Sequence, residues 1–132
     1  GAGSYPSSAE QHLFGRWLTV SEASLAAIGP GATLAEVGRA ATEVPRGAVP
    51  WLPHFYLAHG LGVESAEMPM FCTDLGEEFD EQFVLEPGMV LVLEPVVWED
   101  GIGGYRAEEV VAITDTGWRP LGGWPSHLPF KT

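Results

Sequence analysis

The sequence predicts an α+β domain, with two helices packed on one face of an antiparallel sheet. Three observations carry this. The first third of the chain repeats apolar residues at steps of three and four. From residue 49 onward, apolar and branched residues come instead in short runs. Glycine, proline and aspartate turns separate those later runs. Helices first and hairpin-linked strands after give segregated layers rather than alternating parallel units.

The elements follow in order. Ser7, with Glu10 three residues on, forms a capping-box pattern that opens a helix over residues 8–28. Leu13, Phe14, Trp17, Leu18, Ser21, Leu25 and Ile28 give it one buried stripe. Gly29-Pro30-Gly31 stops it. Thr33 and Glu36 repeat the capping pattern for a second helix ending near Glu43, with Leu34, Val37 and Ala41 on one side. The run VPRGAVPWLP, with three prolines, is an irregular connection. Residues 49–58 read as a strand that ends at His59, where Gly60 and Gly62 open a turn. Residues 68–82 carry five acids between apolar ends and read as a solvated loop. Pro87-Gly88 is a turn, and residues 89–98 and 105–114 are two strands joined by EDGIGG as a hairpin. Asp115-Thr116-Gly117 turns the chain into a last short run over residues 118–121, and Trp124 and Phe130 are expected to pin the tail.

At 132 residues the chain is one domain by length, and 45% hydrophobic with 18% charged residues fits a globular protein. The formal net charge of −12 repels phosphate backbones and anionic lipid surfaces, so neither nucleic acid nor a membrane is an expected partner. Cys72 is the one cysteine, which excludes an intrachain disulfide and permits a cytoplasm. No charged-then-apolar leader opens the chain and no apolar run reaches spanning length, so the expected compartment is the cytoplasm.

Three residues interrupt the apolar pattern in a way that points to chemistry. Glu94 stands inside the apolar run LVLEPVVW, and Glu108, followed by Glu109, stands inside YRAEEVVAI. A carboxylate in a buried strand is costly unless it is paired or bound to a cation. A hairpin closing around residues 100–103 brings Glu94 and Glu108 to one level of the ladder, and His59 on a third strand adds a nitrogen. One nitrogen and two oxygens suit Zn, Mn, Fe or Co better than Ca. The alternative is structural: Arg106 neutralises one of the glutamates in an ion pair.

These same segments resemble a known family. HGLGVESAEMP, then PGMVLVLEPVVW, then GGYRAEEVVAITDTGW are similar, in order, to signatures of the pita-bread metallopeptidases, which include methionine aminopeptidase, aminopeptidase P, Xaa-Pro dipeptidase and creatinase. The interval of 14 residues from Glu94 to Glu108 and the Arg106-x-Glu108 pattern resemble the prolidase and aminopeptidase P branch. So do SSAEQHLF and IGPGATLAEV, and the likeness runs from Ser7 to Leu121. The resemblance implies a curved antiparallel sheet with helices outside and two divalent ions (Mn, Co or Zn) inside. Their ligands in that family are two aspartates, then a histidine, then two glutamates. By position His59, Glu94 and Glu108 match the last three. The implied roles are metal ligation by all three, proton transfer by Glu94 with His59 at the catalytic centre, and substrate contact through Arg106 and Glu67. The implied reaction is hydrolysis of an Xaa-Pro peptide bond by a metal-activated water.

Two departures qualify that expectation. Every aspartate of the chain, from Asp74 on, follows His59, so none matches the aspartate pair. The chain therefore resembles the carboxy-terminal half of the catalytic domain and is expected to be inactive alone. Half of such a sheet leaves an unpaired edge and an open apolar face, so its amino-terminal half or a homodimer partner is expected to accompany it. Second, the position seven residues past His59, often a histidine in the family, is Ala66. The other functional class is a non-catalytic pita-bread module that binds a peptide or protein partner. Glu94, kept inside an apolar strand, favours the enzyme.

Overall fold

In a computed structural model, residues 7–43, 58–60, 67–71, 76–99 and 101–121 are described. The side chains of residues 58–60 and 67–71 lie outside that description, as do the expected strand over 49–57, the VPRGAVPWLP connection, Ala66, Cys72 and the tail.

Both helices start where their capping boxes place them. Helix α1 spans Ser8–Ala27. The Glu10 backbone N–H donates to Ser7 Oγ at 3.1 Å, and the Ser7 N–H donates to the Glu10 carboxylate at 2.8 Å. Helix α2, Leu34–Thr42, repeats this with Thr33 and Glu36 at 3.2 and 2.8 Å. Gly31, at φ +89, makes the turn between them, in a conformation a side chain would strain. The linker is then zipped to residues 83–85: the Gly31 N–H donates to the Leu85 carbonyl, Leu85 to Ala32, and Leu34 to Phe83, at 2.8–3.0 Å.

Strands β1 (Ala58–Gly60), β2 (Glu67–Phe71), β3 (Val90–Leu93), β6 (Glu109–Ile113) and β7 (Trp118–Pro120) form one antiparallel sheet in the order β2-β1-β3-β6-β7. Strands β4 (Val96–Glu99) and β5 (Gly103–Arg106) form a two-stranded arm. Leu91, Leu93, Val97, Val111 and Ile113 share one buried core with Leu13, Phe14, Trp17, Val20, Leu34 and Val37 of the helices. Directly opposed residues of an antiparallel ladder lie on the same side, and alternate residues lie on opposite sides. The odd-numbered row of β3 therefore faces the helices, which makes the expected α+β layering the observed one.

The structure departs from the expectation in four places. The two strands expected over 89–98 and 105–114 are each broken, into β3 and β4 and into β6 and β5, at Glu94-Pro95 and Ala107-Glu108. Pro95 has no N–H to give to a ladder, which accounts for the break falling there. Strand β1 runs through His59 to Gly60 instead of stopping at the histidine, because it is held on both sides by β2 and β3. The acidic stretch 68–82 is not all loop. Its first part pairs with β1 as β2, and Glu77–Asp80 winds into a short helix, α3. Strand pairing is a tertiary effect that local acid content does not reveal. An ion pair from Arg39 to Glu77, with Glu81 3.8 Å from the same guanidinium, ties α2 to α3.

Candidate metal centre

The broken hairpin keeps its count across the break. Val90 pairs with Ala112 and Leu93 with Glu109 in the main sheet; Val96 pairs with Arg106 and Glu99 with Gly103 in the arm. The same register thus runs through both ladders, and the two rungs between them are Glu94 opposite Glu108 and Pro95 opposite Ala107. Past Glu99 the chain turns back through Gly101, at φ +81, with the Ile102 N–H on the Glu99 carbonyl at 3.1 Å. The two glutamates expected to meet are therefore set against each other where regular pairing lapses. Residues facing each other across such a pair have Cβ atoms about 5 Å apart.

His59 enters the same row from the other side. It pairs with Val92, and Val92 pairs with Val110, so His59 holds a register position one strand away and two residues back from Glu94. Diagonal neighbours of this kind stand about 7–8 Å apart. Arg106, opposite Val96, lies two rungs beyond Glu108 in that same row. Glu67 does not share it. It pairs with Gly60, across an irregularity in the β1–β2 register, while Met70 pairs with His59.

Burial separates the carboxylates. Glu94 is 3% exposed and Glu109 1% exposed, whereas Glu108 is open to solvent. Sequence reasoning treated Glu108 and Glu109 alike as interruptions of a strand. The register distinguishes them: Glu109, paired with Leu93, belongs to the helix-facing row, and Glu108 belongs to the other. The signal that could have found this is the parity of Glu109 with Val111 and Ile113, both core residues.

The expected structural alternative finds no support among the described residues. The ion pairs there join His12 and Arg16 to Glu99 and Arg39 to Glu77 and Glu81, and Arg106 takes part in none of them. Nor do the described side chains by themselves gather three His, Cys, Asp or Glu groups within reach of one ion. The imidazole of His59 lies outside them. The donor set nonetheless fits a transition-metal ion: a carboxylate withdrawn from water, a second opposite it, and a histidine in the adjoining strand.

Helix α1 braces the break from behind. Trp17, fully buried, donates its indole N–H to the Pro95 carbonyl at 2.7 Å. Its ring meets Tyr105 of β5 edge-on, with centroids 5.9 Å apart, and Phe14 meets Tyr105 in the same way at 5.8 Å. Burial pushes the Tyr105 phenol up, which keeps it a neutral packing partner. At the arm's far end His12 Nε2 and Arg16 hold Glu99 Oε2 at 2.6 and 3.0 Å. The hydrogen bond from His12 leads in holding the Glu99 carboxyl below its usual range, partly opposed by desolvation and reinforced by Arg16.

Known proteins share this fold. Residues 2–115 match the model of metallopeptidase family M24. An uncharacterized peptidase of Staphylococcus saprophyticus is 30% identical over 121 residues, covering 90% of this chain and 33% of that protein. The prolidase of Pyrococcus furiosus superposes with a TM-score of 0.70 at 30% identity, over 90% of this chain and 34% of its own. The X-Pro aminopeptidase of Thermotoga maritima superposes with a TM-score of 0.73 at 27% identity, over 89% and 32%. The chain thus spans about a third of the length of the relatives it matches. Among the described residues no helix is long and apolar enough to cross a membrane. An antiparallel sheet backed by helices on one face, superposing on prolidases, is the pita-bread fold, and with the match over residues 2–115 it establishes that this chain belongs to metallopeptidase family M24.

Proposed function

We propose that this chain supplies the histidine and the two glutamates of the metal centre of an Xaa-Pro-type peptidase. The observation that carries the reading is the unbroken register that sets Glu94 against Glu108 at the lapse in the hairpin, with His59 in the neighbouring strand of the same row. His59, Glu94 and Glu108 would hold the ion, and Mn, Co or Zn suits that mixed nitrogen and oxygen set. When bound, a divalent ion supplies Lewis-acid activation of a water and of the scissile carbonyl.

The remaining work belongs to the protein's own groups. Glu94 holds and returns the proton taken from the attacking water, a task suited to a carboxylate withdrawn from bulk solvent. Arg106, two rungs beyond Glu108 in the same row, offers a cationic fork to the carboxylate end of a peptide substrate. Glu67 is assigned to the amino end of the substrate. The aspartates that would complete a second ion would come from outside this stretch, from the rest of the protein. The stretch alone then binds at most one ion, weakly, and is inactive.

The test is cleavage of Xaa-Pro dipeptides and tripeptides by the full-length protein loaded with Mn, beside its Glu94→Gln and Glu108→Gln variants. Turnover that both substitutions abolish is the expected result. Turnover that neither changes overturns the assignment. Ion binding without turnover of any peptide would favour the non-catalytic peptide-binding module, a reading that Ala66 keeps in view.

A further inference from the structure

The register sets Glu94 opposite Glu108 at a point where regular strand pairing lapses. Two successive rungs lack regular strand pairing, and Pro95, next to Glu94, has no N–H with which to restore it. Ladder hydrogen bonds therefore do not by themselves fix the separation of the two carboxylates. Something else must, if they are to take one ion repeatedly at one geometry.

One residue of α1 contacts both sides of the break. Trp17 is fully buried, donates its indole N–H at 2.7 Å to the carbonyl of Pro95 on one side of the break, and lies edge-on to Tyr105 on the other strand. A buried carbonyl bonded to a rigid, buried donor is held to a few tenths of an ångström, and reorienting it would leave both groups unsatisfied. We propose that Trp17 is a positioning residue of the candidate metal centre: through the Pro95 carbonyl and the Tyr105 ring it clamps both strands of the interrupted hairpin, and so fixes the Glu94–Glu108 separation that sets ion affinity. The inference rests on the metal-centre reading above and deepens it. Trp17 does not touch the ion or the substrate. It acts through the backbone next to a ligand, as outer groups that orient metal ligands do.

Mn binding to the full-length protein, measured by calorimetric titration, tests it, with the Co absorption spectrum as a second readout of ligand geometry. Two variants of Trp17 are needed. Trp17→Phe removes the donor and part of the ring; replacement by 3-benzothienylalanine removes only the N–H and keeps the ring's size. Val20→Ala, one turn away in α1 and equally buried, serves as the control for plain loss of stability. Glu94→Gln tests the underlying reading. The expected result is an affinity lowered about ten-fold by either Trp17 change, with a shifted Co spectrum, and unaltered by Val20→Ala. If Glu94→Gln abolishes binding while the benzothienyl variant binds as wild type, the inference fails and the metal-centre reading stands. If Val20→Ala weakens binding as much as the Trp17 changes do, affinity merely follows stability and the inference fails. If Glu94→Gln leaves binding intact, the reading itself is wrong.

Discussion

Leu93 and Glu94 are neighbours in the chain and belong to opposite faces of the hairpin, so their substitution should give opposite phenotypes. Leu93 is fully buried in the row that faces the helices and pairs with Glu109. Leu93→Ala removes three heavy atoms from a filled core and should cost about 3–4 kcal/mol, the usual range for a fully buried leucine. With a urea slope of about 2 kcal/mol per molar, the unfolding midpoint of this domain falls by roughly 1.5–2 M. Glu94→Gln keeps the volume and removes a buried charge. In the metal-free protein the midpoint should move far less than in Leu93→Ala, because the substitution opens no cavity and relieves the withdrawal of a charge from water. Mn affinity should show the reverse pattern: lost in Glu94→Gln, and retained in Leu93→Ala wherever the variant is folded. Urea titrations followed by circular dichroism, with and without Mn, measure both quantities on one sample. If Glu94→Gln destabilises as much as Leu93→Ala and leaves Mn affinity untouched, Glu94 is a structural carboxylate and the assignment of faces to functions is wrong.

Three further outcomes follow from the same geometry. The Glu99 carboxyl is held below its ordinary value of 4.5, chiefly by His12, so its contribution is present above that pH and is lost as pH falls through the lowered value; thermal midpoints of wild type and Glu99→Gln should differ near neutrality and converge in strong acid, and a gap that widens in acid would contradict this. A Cβ at Gly104 would stand 2.7 Å from the Trp98 ring, so Gly104→Ala must displace that ring and should cost about 1 kcal/mol in a denaturant titration; a crystal structure of the variant with Trp98 unmoved would refute the contact. Ser7→Ala removes the acceptor that caps α1 and should cost about 1 kcal/mol, read as a fall in thermal midpoint that Ser7→Asp does not show.

Much of the fold was legible because its signals are local. Ser7 with Glu10 and Thr33 with Glu36 announce two helix starts, and both capping boxes form. The placing of Glu94 opposite Glu108 followed from a hairpin around residues 100–103, and the register on either side of the break runs as that count requires. What stayed hidden depends on contacts between distant segments. Strand β2 exists because β1 lies beside it, and nothing in its own residues separates it from the acidic stretch that follows. The break at Glu94-Pro95 has a local cause in the proline, but its anchor is Trp17, 78 residues away. In the sequence Trp17 is one more member of an apolar stripe, and only the fold shows which carbonyl its N–H serves. The different fates of Glu108 and Glu109 turn on parity with Val111 and Ile113, and the fold shows which parity faces the helices.

The central claim is that His59, Glu94 and Glu108 share an ion, and anomalous diffraction from crystals of the full-length protein grown with Mn tests it most directly. The account predicts an anomalous peak about 2.0–2.2 Å from a carboxylate oxygen of Glu94, another of Glu108 and a ring nitrogen of His59. A peak among the acids of α3 and its flanks, at Glu77, Glu78, Asp80 or Glu81, with none between Glu94 and Glu108, would contradict it.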